Sequence, residues 1–223
     1  MDKSSYMNVA KAWEFIEDHA FSRQTMQSAR VRQEAEEAAM PQGSAAQAEF
    51  LGLLLRMLGA SSVIAVGTGS IVETLQLIDA LDGKGQVTAV DSSSQGIALI
   101  RKTFNNLSDR TQTTLRAVNA EAGVFLPRLN AEMYDLIVVC GDAANYASTF
   151  EQAPRLLNDH GVIVFTDVLA MDAPDSNGGI LNPADRSNKA QAMRNLLDEV
   201  QSDERFRTAL IPVGTGLLLA AKQ

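Results

Sequence analysis

The sequence predicts an α/β fold: a doubly wound, mostly parallel sheet with helices on both faces. Three observations carry this expectation. From residue 63 onward, short apolar runs alternate with helical patterns of about 10–15 residues, the rhythm of βαβ units. The first runs close on a turn glycine or an acid, at Gly67 and Asp91. The chain then ends on two apolar-rich segments around Val213-Gly-Thr-Gly216, a β-hairpin that adds an antiparallel edge. With 223 residues, 46% of them hydrophobic and 21% charged, the chain can bury one such core beside a helical appendage.

The elements follow in order. Val9, Ala12, Trp13, Ile16 and Ala20 share one helical face. Ser22 is placed to cap a second, mostly polar helix that stops before Pro41. Ser44 opens a third, with Ala46, Phe50, Leu53, Leu54, Met57 and Leu58 expected inward and Gly59 as its end. Residues 1–39 thus read as a helical extension and 40–223 as the main domain. Val63–Val66 is the first strand, and Ile71, Leu75 and Ile78 mark the helix after it. Gln86–Val90 is the second strand, followed by a helix on Ile97, Ile100 and Phe104. Strands over Thr113–Val118, Leu136–Val139 and Gly161–Phe165 come next, with helices over Glu121–Leu129 and Tyr146–Leu157 between them. Residues 168–188, rich in Asp, Asn, Gly and Pro, read as a long loop, and Met193, Leu196, Leu197 and Val200 as a last helical stripe.

Charge and cysteine usage exclude several classes. Nineteen Lys and Arg against 27 Asp and Glu give a net charge of −8, opposite to what nucleic acid or an anionic membrane requires. Cys140 is the lone cysteine, so no internal disulfide or multi-cysteine metal cluster forms. No apolar run follows a basic N-terminal segment, and none reaches the roughly 20 residues of a membrane span. A cytoplasmic protein without nucleic-acid or membrane partners is expected.

Two motifs carry chemistry. Gly67-Thr68-Gly69 lies between the first strand and its helix, where glycines let backbone amides approach a ligand. Asp91 ends the second strand, 24 residues after Gly67, where a carboxylate accepts both hydroxyls of a ribose. Its competing use is as a cap for the next helix, a role open equally to Ser92 or Ser93. Val72 stands where a dinucleotide fingerprint has its third glycine, which disfavours a nicotinamide oxidoreductase.

With these residues in view, the chain resembles the class I S-adenosylmethionine-dependent methyltransferases. More narrowly, it is similar to small bacterial O-methyltransferases related to the catechol and caffeoyl-CoA enzymes. The resemblance spans roughly residues 40–222 and rests on VGTG, TAVDSSS, YDLIVVCGDAANY, GVIVFTD and the terminal LIPVGTGLLLAAK. It implies a Rossmann-like seven-stranded sheet, a homodimer, and S-adenosylmethionine at the loops after strands one, two and four. On this pattern Gly67, Thr68 and Gly69 match the cofactor loop, Asp91 the ribose acid with Ser92 beside it, and Ala120, Glu121 and Ala122 the segment flanking adenine. Asp167 matches a metal-binding aspartate after strand five.

The departures concern both cofactor and metal. The acid two before the first glycine is Ala65, the glycine opening the helix is Ile71, and a serine beside the methionine carboxylate is Glu73. Glu73 must turn away from that carboxylate or pair with the ammonium group. The strand-four metal aspartate is Cys140, the base lysine is Ala143, and the asparagine after Asp167 is Val168. A thiol is a poor ligand for Mg²⁺, so a divalent metal is not expected in the family manner. Cys140 is read as a pocket-lining thiol near the cofactor, and Asp142 and Asp167 as candidate bases; Asp142 has a helix cap as its competing role. The expected function is O-methylation of a small-molecule hydroxyl. A non-catalytic homodimer of the same fold is the alternative.

Overall fold

Five strands run parallel: β1 (Ser62–Val66), β2 (Gln86–Asp91), β3 (Thr114–Asn119), β4 (Tyr134–Val139) and β5 (Leu157–Phe165). β6 (Phe206–Ile211) and β7 (Leu217–Lys222) form the antiparallel hairpin. The sheet order is β3-β2-β1-β4-β5-β7-β6, with β7 antiparallel to β5. This is a computed structural model, and it describes residues 3–67, 71–171 and 175–223. The order reverses between β1 and β4, so the crevice for a ligand lies beyond their carboxyl ends.

Strand periodicity sorts side chains to two faces. Val63 of β1, Leu136 and Val138 of β4 and Val162 and Val164 of β5 join one apolar cluster. Ile64, Val66, Ile137, Val139, Ile163 and Phe165 join the other. The first is covered by α3 (Ala45–Leu58), α4 (Ile71–Ala80) and α5 (Ser94–Leu107). The second is covered by α7 (Ala144–Leu156) and α8 (Asn188–Ser202), with the short α6 (Ala122–Phe125) and a following 3₁₀ turn at Leu126–Arg128.

The N-terminal helices differ from expectation in detail. α1 spans Lys3–Ser22 and α2 Met26–Glu37. Thr25, not Ser22, caps α2: its side chain accepts the Ser28 amide at 3.1 Å, while Ser22 is the last residue of α1. Of the face read on α1, Ala20 is buried, but Trp13 and Ile16 are 47% and 51% exposed. On α3 the inward face is Ala45, Ala48, Leu51, Gly52 and Leu55, while Leu53 and Met57 face solvent at 57% and 77%. The reason is close packing. A Cβ on Gly52 would come within 2.9 Å of Gln76 Cγ, so the small-residue side meets α4. Burying Leu51 and Leu55 there contributes about 1.5–3 kcal/mol each.

The long loop after β5 is ordered rather than structureless. It contains a 3₁₀ turn at Gly179–Leu181, and Asp185 is its hub. Asp185 accepts the amides of Asn177 (2.6 Å), Gly179 (2.8 Å) and Ser187 (2.8 Å). Hydrogen bonds from Ser187 and these amides hold its carboxyl well below the usual carboxylate range. The Arg194 guanidinium spans the carbonyls of Gly179, Asn182 and Asp185 from the other side. Among the described residues, no helix is long and apolar enough to cross a membrane.

Candidate functional site

β1 ends at Gly67, where the backbone turns to φ 98°. The Gly67 amide donates to Val90 O at 2.9 Å, and the Cys140 amide to Val66 O at 2.9 Å, so three adjacent strand ends are locked in register. Cys140 Sγ lies 3.4 Å from Gly67 O. A Cβ at position 67 would stand 2.3 Å from Cys140 O. Positive φ and close approach therefore both demand glycine. Thr68 and Gly69 lie outside the described residues. Ile71, which stands at the glycine position of the resembling pattern, is the first helical residue of α4 and is buried. Its branched side chain serves the core, and the Val72 amide donates to Gln42 Oε1 at 3.2 Å.

At the end of β2, Asp91 is mostly buried and its competing role as a helix cap is filled by a neighbour. Ser93 caps α5, its Oγ accepting the Gly96 amide at 3.1 Å. Asp91 Oδ1 accepts the Ser93 amide at 2.6 Å, which fixes the carboxylate beside the β1 terminus. The Ala120 amide and Asn119 Nδ2 both donate to Asp91 O at 3.0 Å, and Asn119 Nδ2 also reaches Ser92 O at 3.1 Å. Ser92 and Glu121 are exposed, and Glu121 precedes α6 without capping it by its side chain. Gly67, Asp91, Ser92, Ala120 and Glu121 thus line one edge, across the ends of β1, β2 and β3.

Glu73 sits in the first turn of α4, and only 1% of it is exposed. Its Oε1 accepts from Gln47 Nε2 at 3.1 Å, while its Oε2 has no hydrogen-bond partner. A Cβ on Gly43 would lie 2.4 Å from Oε1, so the glycine makes room for the carboxylate. Arg32 Nη1 donates to Gly43 O at 2.8 Å on the same corner. Burial pushes the Glu73 carboxyl up to about 7, against the opposing pull of its own amide, Gln47 and Arg32. Glu73 has turned into the protein, with one oxygen held in reserve.

The ends of β4 and β5 are different. Cys140 is buried. Asp142 is exposed, and its Oδ1 accepts the Ala144 amide at 3.1 Å at the start of α7. Asp167 follows β5 at φ 55° and is half-buried, with Lys189 Nζ 3.4 Å from its Oδ2. Lys189, on the first turn of α8, is 9% exposed at its side chain. Its Nζ also donates to Gly141 O at 2.7 Å and Tyr146 Oη at 2.8 Å, and it lies 3.9 Å from the Tyr146 ring centroid. Tyr146 Oη in turn donates to Thr166 O at 3.0 Å. Burial lowers the Lys189 pKa, and the Asp167 carboxylate opposes it. Burial, then Cys140 and Asp167, drive the Tyr146 hydroxyl well above its ordinary value.

This donor set does not fit a divalent metal. Position 140 offers sulfur, Val168 is fully buried and apolar, and Asp167 is paired with an ammonium group. The nucleoside edge does fit a ribose-bearing cofactor, with Asp91 freed from capping and Glu73 Oε2 unsatisfied nearby in the chain. Sequence reasoning missed Lys189, Tyr146, Gln47 and Arg32. No local motif surrounds Lys189, and it meets Gly141 across 48 positions of chain. Ser44, by contrast, was legible as the α3 cap; it receives the Gln47 amide and donates to Glu17 Oε2.

A protein of Mycobacterium avium named as an O-methyltransferase is 29% identical over 173 residues, covering 78% of this chain and 75% of that protein. The crystal structure of the Bacillus cereus O-methyltransferase in complex with SAH superposes with a TM-score of 0.79 at 20% identity, covering 96% of this chain and 99% of that one. That of TomG from Streptomyces achromogenes, an O-methyltransferase of tomaymycin synthesis bound to SAM, gives 0.76 at 19% identity, covering 96% and 98%. The family model described as O-methyltransferase matches residues 17–223, and the chain belongs to that family.

Proposed function

We propose that this chain transfers a methyl group from S-adenosylmethionine to the hydroxyl of a small molecule, without a divalent metal. The observation that carries the reading is Asp91: a carboxylate fixed at the end of β2, relieved of capping by Ser93 and adjacent to the Gly67 turn. When bound, S-adenosylmethionine supplies an electrophilic methyl group on a sulfonium. In this reading Asp91 accepts the ribose hydroxyls, Gly67 lets the main chain pass close to the cofactor, and Ala120 and Glu121 flank the adenine. Glu73, turned into the protein and held by Gln47, keeps clear of the methionine carboxylate in this reading.

Proton removal from the acceptor falls to Asp142 in this proposal. Asp142 is exposed and within two residues of Cys140 at the switch point. Asp167 is engaged by Lys189 Nζ at 3.4 Å, which leaves this role to Asp142. Without a metal, rate enhancement rests mainly on positioning, and the acceptor hydroxyl must itself be acidic.

Calorimetric titration of EDTA-treated protein with S-adenosylmethionine and S-adenosylhomocysteine tests the reading. Binding near micromolar, about −8 kcal/mol, is expected. Asp91→Ala should weaken it by about 1.5–3 kcal/mol, roughly ten- to over a hundredfold. Failure of both ligands to bind to folded protein overturns the proposal.

A further inference from the structure

We infer that Lys189 is a built-in cation that takes the place of a divalent metal at the carboxyl ends of β4 and β5. The inference deepens the metal-free reading above and rests on it only for its catalytic consequence. Three acceptors surround Nζ: Gly141 O after β4, Tyr146 Oη on α7 and Asp167 Oδ2 after β5. Tyr146 Oη spends its own proton on Thr166 O, so it accepts from Nζ. Meeting three acceptors requires three N–H bonds, which only the ammonium form has. The Tyr146 ring presents its negative face to the same charge.

The geometry joins the two strand ends as a bridging metal ion would, but with one positive charge and no open coordination position. Cys140 and Val168 fit the same design. Neither supplies a hard oxygen ligand, and Val168 is sealed in the core. A second cation brought to Asp167 would meet the ammonium already there and be repelled. Lys189 is therefore a positioning residue: it neutralises Asp167 and ties the β4 and β5 loops to α7 and α8.

The test reads Mn²⁺ binding by electron paramagnetic resonance on cofactor-free protein, so it is independent of methyl transfer. Wild type should bind no Mn²⁺ at millimolar concentration. Cys140→Asp alone should also bind none, because Lys189 remains. Cys140→Asp with Lys189→Met offers hard oxygen ligands around a vacated charge and should bind about tenfold or more tighter than wild type. Wild-type binding that Asp167→Asn abolishes would overturn the inference. So would equal binding by the single and double variants, or a folded double variant that binds none. Should Cys140→Asp prevent folding, Cd²⁺ replaces Mn²⁺ as the probe. Thiolate-to-Cd²⁺ absorbance should then appear in Lys189→Met and not in wild type, and its presence in wild type would count against the lysine. Failure of S-adenosylmethionine to bind in the earlier titration would leave these results untouched.

Discussion

The two halves of the sheet's carboxyl edge are built from different materials. At the ends of β1, β2 and β3 the work falls to main-chain geometry and one acid: a glycine at φ 98°, strand-end amides in register, and Asp91. At the ends of β4 and β5 it falls to a side-chain network of Lys189, Tyr146, Asp167 and the Gly141 carbonyl, with all the ammonium protons committed. The first half keeps the glycine and the acid of the resembling pattern. The second half carries Cys140 and Val168 where the resemblance implies metal ligands. On the function proposed above, cofactor recognition and acceptor activation are separable in this chain.

The sharpest way to break that comparison is at the seam between the halves. Gly67→Ala puts a methyl 2.3 Å from the Cys140 carbonyl at a φ that disfavours alanine. It should cost about 4 kcal/mol or more, read as loss of soluble protein or a collapsed denaturation midpoint. Next comes a paired test of separability. Lys189→Met breaks a mostly buried ion pair and should lower stability by about 3 kcal/mol while leaving S-adenosylmethionine affinity near that of wild type. Asp91→Ala should do the reverse. If Lys189→Met abolishes cofactor binding in folded protein, the two halves are one unit.

The last effect depends on pH and concerns Glu73. Its folded-state pKa is raised to about 7, against 4.5 for an ordinary carboxyl. The folded state thus holds the proton more tightly, and stability falls as pH rises between these values. Above pH 7 the full cost is on the order of 3 kcal/mol. Glu73→Gln should raise the melting temperature at pH 8 and change it little at pH 4.5. A gain equal at both pH values would show that the carboxylate is not strained by burial.

Much of this architecture was legible because strand and helix periods are local. The apolar runs of β1, β4 and β5, Ser44 as a cap and the closing hairpin each announce themselves within a few residues. The inward face of α3 was not legible. The helix is apolar on two sides, and Gly52 against Gln76 decides between them through a contact from another element. Asp91 was legible as a strand-end acid, while the release of its carboxylate depended on which of two serines capped α5. Lys189 gave no signal at all. A lysine in the first turn of a polar helix looks solvated, and only the fold brings it to residues 141, 146 and 167.

The Asp185 hub has a consequence for how this protein can diversify. Asp185 and Arg194 grip the 177–187 segment by its amides and carbonyls, at Asn177, Gly179, Asn182, Asp185 itself and Ser187. Most of that grip falls on main-chain atoms, with Asn182, Ser187 and the positive φ of Gly179 as its fixed residue requirements. Leu181 stands 67% exposed. Exposed positions such as Leu181 are therefore panels on a fixed frame. New chemistry can be written on its surface, by selection or by library, while the shape beneath persists.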